Sequence, residues 1–292
     1  MRKGILVATM VALASVGSSI ACDIHGESGI VEKNDLNIPV GAKNAGGITK
    51  EQFDSAIDKV EGIYQPIVAA KGKTLEVVRN WDDGTVNAYA QQVGNTWKVS
   101  MFGGLARHET ITVDGFALVV CHEVGHHLGG LPKKKSWWSS SWASNEGQAD
   151  YFGTMKCLRK YMEKDDNITM MANANVPAFV TEKCEANFTN ASDIAMCQRG
   201  ALAGLSLGNL FRALRRLDAP LKFDTPDPAV VAQTDDNHPA PQCRLDTYFQ
   251  GALCEKDHYS DVSDTDANQG VCNRVDQDTD GIRPLCWYKP AN

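Results

Sequence analysis

His122-Glu123-Val124-Gly125-His126 sets two imidazoles four residues apart with a carboxylate between them. On a helix turning once per 3.6 residues, His122 and His126 share one face and can both give a ring nitrogen to one Zn²⁺, with Glu123 beside the open coordination position. Zinc in such a site lowers the pKa of water to about 7, and Glu123 is suited to take the proton as the water attacks a carbonyl and to pass it to the leaving amine. The chemistry implied is hydrolysis of a peptide bond.

Such a motif needs a helix to carry it and a third ligand to complete it. Asp114 followed by the apolar run Phe116 to Cys121 reads as a buried helix with an acidic start, and Gly129-Gly130 and then Pro132 stop it. In Ser144-Asn145-Glu146-Gly147-Gln148-Ala149-Asp150, Glu146 and Asp150 again share a helical face. Glu146 is the expected third ligand, and Asp150 is expected to hold the distal nitrogen of a liganding histidine and fix its tautomer. The rival three-histidine pattern would need its last histidine at Pro132, which disfavours it. Trp97 to Phe102 alternates as a half-buried strand does, with Val99 and Met101 on one face. That strand either binds an extended peptide along its edge or is an internal core strand, and alternation alone fits both.

Five segments in order carry a resemblance. They are the two zinc-ligand segments, Val86-Asn87-Ala88-Tyr89-Ala90, the strand and turn from Val99 to Leu105, and His238-Pro239 followed by Arg244-Leu245. Over residues 50 to 250 the chain resembles zinc metallopeptidases of the CAAX prenyl protease and HtpX type, particularly their soluble exported members. The resemblance implies a zincin-like gluzincin endopeptidase with one Zn²⁺ per chain, acting on a protein or peptide substrate. It implies too that Asn87 lies at the substrate cleft and that His238 and Arg244 stabilise the oxyanion. An imidazole N–H or a guanidinium fixed before reaction suits that task, each such donor contributing about 3 to 4 kcal/mol.

Met1-Arg2-Lys3, an apolar stretch to Ile20 and the small-x-small Ser19-Ile20-Ala21 read as an export signal over residues 1–21. The expected destination is periplasmic, secreted or envelope-attached, the last through lipidation of Cys22, although Ser19 is a poor match to the residue expected before a lipidated cysteine. Setting Cys22 aside leaves eight of nine cysteines, an even number that favours disulfides. Cys272 with Cys286 is the expected local pair, and Cys121 a free core thiol. The net charge of −7 becomes more negative once Arg2 and Lys3 leave, which argues against nucleic-acid binding. Lys133-Lys134-Lys135, with Trp137, Trp138 and Trp142, reads as a lid, an aromatic contact or a partly buried loop.

The element order is α+β, a small sheet beside a mostly helical body. Thr49 and Gln52 form a capping box for a helix through Phe53, Ala56, Ile57, Val60 and Tyr64, ending at Pro66. An N-terminal segment over 22–48, a peptidase domain over 49–250 and a Cys- and Asp-rich extension over 251–292 are expected. Asp276, Asp278, Asp280 and Gly281 have the start of a Ca²⁺ loop, but Trp287 stands where its closing glutamate belongs. Two other functions stay open: an exported disulfide-stabilised binding or quality-control protein with a structural zinc site, and an amidase of cell-wall peptides. Nothing in the sequence fixes an oligomeric state.

Overall fold

The structure, a computed structural model, describes residues 19–20, 29–43, 45–135 and 141–290. The export signal thus falls almost wholly outside the described residues, as do Cys22, Trp137 and Trp138. The expected capping box is formed: Thr49 accepts from the Gln52 N–H and opens α1 (Lys50–Ala70). The helix does not end at Pro66 but continues a further turn. Pro66 removes the donor for the carbonyl of Gly62, and both residues lie on the exposed face, where solvent meets the orphaned group, while Tyr64 and Val68 stay buried on the other.

Next come β2 (Thr74–Asn80), β3 (Ala88–Val93) and β4 (Thr96–Phe102), with the two-residue β1 (Ser19–Ile20), in the order β1-β3-β4-β2. β4 lies parallel to β2 and antiparallel to β3, so neither of its edges is open to a peptide. Val99 and Met101 are fully buried core residues, which corrects their assignment to substrate binding. Alternation shows which face of a strand is buried but not which strands flank it. The outer edge belongs to β3, where Ser19 and Ile20 pair antiparallel with Gln92 and Gln91.

After the short α2 (Gly103–Ala106), α3 (Val113–Leu128) packs under the sheet and against α1. Its N-cap is Thr112, whose hydroxyl accepts from the Gly115 N–H, two residues before the expected acidic start. Phe116, Leu118, Val119 and Val120 are fully buried. At about 1.5 to 3 kcal/mol for each such side chain, the helix bearing the two histidines is among the most firmly held parts of the fold.

α4 (Glu146–Phe152) follows, capped by Asn145, and runs through a π-helical turn (Gly153–Leu158) into α5 (Arg159–Met162). α6 (Asn167–Met171), α7 (Ala178–Asn187), the long α8 (Ala191–Leu214) and α9 (Pro241–Leu253) complete an α+β architecture. No helix among the described residues is long and apolar enough to cross a membrane.

Four disulfides tie these elements: Cys121–Cys157, Cys184–Cys197, Cys243–Cys286 and Cys254–Cys272. Two expectations are corrected. Cys121 is not a free thiol, because α3 crosses the π-helical turn with the two Cα atoms 5.5 Å apart. Cys272 and Cys286 do not pair with each other; each fastens the tail to an end of α9, through Cys254 and Cys243. Bonds of this kind belong to an oxidising compartment reached by export.

The Ca²⁺ loop is also corrected. Asp276 pairs with Lys256, Asp280 pairs with Lys183, and Asp278 accepts from the backbone N–H of Asn273. Lys256 also lies 3.9 Å from Asp278, so the carboxylates are engaged by protein cations and amides and do not converge as a metal-binding group.

Candidate metal centre

α3 presents His122 and His126 on one face, and the start of α4 brings Glu146 up to them. One donor atom from each of the three lies within 4.8 Å of the others. Three links hold this arrangement. Asp150, one turn beyond Glu146, engages His122 Nδ1 at 2.7 Å. His126 Nδ1 donates to the carbonyl of Ser144 at 2.8 Å. Gln148 donates to the carbonyl of Gly129 at the end of α3, at 2.7 Å. Both Nδ1 atoms are therefore spoken for. The Nε2 atoms face Glu146, at 3.3 Å from His122 and 3.8 Å from His126.

All three side chains are fully buried, yet His122 Nε2 and both Glu146 oxygens make no well-formed hydrogen bond among the described residues. Two neutral imidazole nitrogens and a carboxylate oxygen, buried and converging, are the donor set of a divalent-metal site and fit zinc. Such a site explains orphaned polar atoms that would otherwise be costly. Glu123, also fully buried, follows His122 on the same helix, and its charge acts on that imidazole.

Burial alone would depress the His122 pKa; the Asp150 carboxylate outweighs it and lifts it to about 9. Burial likewise opposes the charge of Glu146, but His238, Lys134 and His126 around it hold the carboxyl well below the usual carboxylate range. Lys134 Nζ stands 3.0 Å from Glu146 Oε1, which brings the lysine run into the centre.

His238 is brought to the same cluster, with Nε2 3.5 Å from Glu146 Oε2. The same nitrogen donates at 2.7 Å to the carbonyl oxygen of Gly29. Arg244 does not stand as an oxyanion donor. Its Nε and Nη2 clamp the two oxygens of Asp150, and Nη1 donates to the carbonyl of Ile30 at 2.6 Å. It is a positioning residue acting through Asp150. Asn87 is buried beside the chain's own N-terminal segment and pairs with both the N–H and the C=O of Val31, at 3.3 Å each. All three of these side chains thus engage the backbone of Gly29–Val31.

Tyr248 and Ser144 escaped the sequence reading, and Lys134 and Trp142 were singled out there only as parts of a loop. Tyr248 donates to Asp150 at 2.6 Å, and its spacing of four from Arg244 on α9 was a usable signal. Ser144 acts through its backbone, which no side-chain pattern reports. Lys134 was visible only as part of a charge run. Trp142 closes a ring stack, Trp97 to His127 at 5.0 Å and His127 to Trp142 at 4.6 Å, centred on the residue after His126.

No known protein family, curated protein or solved structure matches this chain.

Proposed function

We propose that the protein is a zinc-dependent metalloendopeptidase of the gluzincin kind, with a zincin-like fold of the CAAX prenyl protease and HtpX type, acting on proteins or peptides after export. One observation carries the reading: the donor atoms of His122, His126 and Glu146 converge within 4.8 Å, with Glu123 next in sequence to the first of them. When bound, a divalent ion supplies Lewis acidity for activating water and polarising a carbonyl.

The chain's own residues do the rest. Asp150 keeps His122 in the tautomer that leaves Nε2 free to ligate, and Arg244 and Tyr248 keep Asp150 ionised and in place. Glu123 is the base that takes the proton from the attacking water and delivers it to the departing amine. His238 holds a proton on Nε2 and already donates to a main-chain carbonyl oxygen, the acceptor that a peptide substrate presents there. A purely structural zinc site closes on four protein ligands, whereas the group gathered here has three among the described residues.

Purified mature protein should cleave casein, lose that activity on treatment with a zinc chelator and regain it on addition of one equivalent of Zn²⁺. Casein cleavage indifferent to the chelator, or none from the zinc-loaded protein, would refute the reading.

A further inference from the structure

A cavity of 750 Å³ lies behind the metal helix, bounded by α1, the end of β3, α4 and the tail around Asp261. Lys71, Lys133, Lys134, Lys135, Lys156 and Lys160 line it, against the carboxylates of Asp261 and Asp264 alone. The chain as a whole carries a net charge of −7, so the sign is reversed locally. Asp264 is taken by Lys133 at 2.8 Å. Lys156, almost wholly buried, bonds only neutral acceptors: the carbonyl of Asp257 at 2.6 Å and the hydroxyl of Ser260 at 3.0 Å.

Tyr64 and Trp97 also line the space, through atoms other than their polar ones. The Tyr64 hydroxyl and Trp97 Nε1 are buried and have no hydrogen-bond partner among the described residues. Tyr64 is 1 % exposed and Trp97 8 %. Six lysine ammonium groups against two aspartates make a wall rich in charged donors and poor in carboxylate acceptors. The ligand that satisfies it brings the acceptors and a negative charge. Trp97, the neighbouring His127 and Trp142 supply a stacked aromatic surface for an apolar portion.

The cavity adjoins the metal centre through one side chain. Lys134 lines it and also reaches Glu146 at 3.0 Å. Gln92, at the far end of β3, lines it too, and the β3 edge accepts an added antiparallel strand, as its pairing with Ser19–Ile20 shows. A peptide laid along β3 past the metal centre leads into this space. We propose that the cavity is a specificity subsite for a peptide substrate, taking a glutamate or aspartate side chain together with an apolar neighbour on one side of the bond that is cut. The proposal rests on the peptidase reading.

The test uses a pair of rhodamine-labelled peptides, identical except that two glutamates in one are glutamines in the other. Their binding to the full mature Glu123→Gln protein, loaded with zinc, is read by fluorescence anisotropy. The glutamate peptide should bind at least about 10-fold more tightly at low salt, and the advantage should shrink as salt rises. Lys160→Gln and Lys71→Gln should each cut that advantage at least threefold while leaving the glutamine peptide's affinity and the melting temperature unchanged.

Equal affinity for the two peptides, or an advantage that neither variant alters, overturns the subsite. Wild type that cleaves both peptides at equal rates also overturns it and leaves the peptidase standing. Charge-selective binding without cleavage by wild type supports an acidic-peptide site and removes the peptidase. Binding of dodecanoate to a protein that binds neither peptide would assign the space to a lipid carboxylate and sink the peptide assignment.

Discussion

Arg244 grips Asp150 with two parallel bonds, Nε to Oδ2 at 2.7 Å and Nη2 to Oδ1 at 2.8 Å, and the same Oδ1 holds His122 Nδ1 at 2.7 Å. A fork of this kind fixes both the charge and the rotation of the carboxylate, and so the ring plane of the first metal-binding histidine. Asp150 is fully buried and Arg244 is 2 % exposed, so removing either partner strands the other's charge. Arg244→Met should lower zinc affinity about 10- to 100-fold and destabilise the fold by about 3 to 5 kcal/mol. Arg244→Lys should restore the charge but not the fork and fall between. Zinc competition with a chromogenic chelator, beside urea melts, measures both; unchanged zinc affinity in Arg244→Met would show that the clamp does not act on the metal site.

Tyr248 makes the fourth bond to Asp150. Tyr248→Phe deletes only the hydroxyl, removing its bond to Asp150 and the longer one it accepts from Arg244 Nη2 at 3.3 Å, and should cost about 1.5 to 3 kcal/mol of stability. Zinc affinity should fall less than in Arg244→Met, because the fork remains. Thermal denaturation of the zinc-free protein isolates the stability part.

Gly147 directly follows Glu146, and Trp287 lies over it. A Cβ built there stands 2.2 Å from the indole. Trp287 is fully buried, and the tail carrying it is fastened to α9 by Cys243–Cys286, so it cannot yield freely. Gly147→Ala should therefore displace the start of α4, with a stability loss of about 1 to 3 kcal/mol and weaker zinc binding. The pair Gly147→Ala with Trp287→Phe should recover part of the zinc affinity, and no recovery would mean that the indole is not the obstacle.

Stability should depend on pH through Asp246. Burial raises its carboxyl from the ordinary 3.8 to about 6. Between those values the folded state holds a proton that the unfolded chain has released, so stability falls as pH rises through that window and the cost is complete above it. Asp246→Asn should be more stable than wild type at pH 7 by on the order of 2 to 3 kcal/mol, and nearly equal to it at pH 3.5. Urea melts at the two pH values give the comparison; an equal difference at both would exclude this origin.

Disulfide Cys121–Cys157 joins the metal helix to the turn that follows α4, across a separation of 36 residues. Replacing both cysteines by alanine should lower stability by about 4 kcal/mol through the longer free chain of the unfolded state. The mutant should still take up zinc at low temperature, since the three ligands stay on their helices. Equilibrium unfolding and zinc titration at 10 °C separate the two effects.

What the sequence made legible was local. His122, Glu123 and His126 on one helix, Glu146 with Asp150 one turn apart on another, and the Thr49–Gln52 cap are all set by spacing within a few residues. His238 beside Glu146 came from an ordered pattern rather than from any single residue. The failures were questions of what lies next to what across long separations. Val99 and Met101 have the alternation of an edge or a central strand, and only the parallel pairing with Thr74–Asn80 decides between them. Arg244 has the chemistry of an oxyanion donor, but α9 packs against α4 so that the guanidinium meets Asp150 instead. Cysteine pairing failed for the same reason, because Cys121 and Cys157 meet where two helices cross.

The measurement that bears most directly on the central claim compares wild type with Glu123→Gln, each assayed for zinc content and for casein hydrolysis on the same preparation. Both should hold one zinc per chain, because Glu123 is not a ligand, while the variant's kcat falls by about 10²- to 10⁴-fold through loss of the base. Equal hydrolysis by the two zinc-loaded proteins would contradict the account.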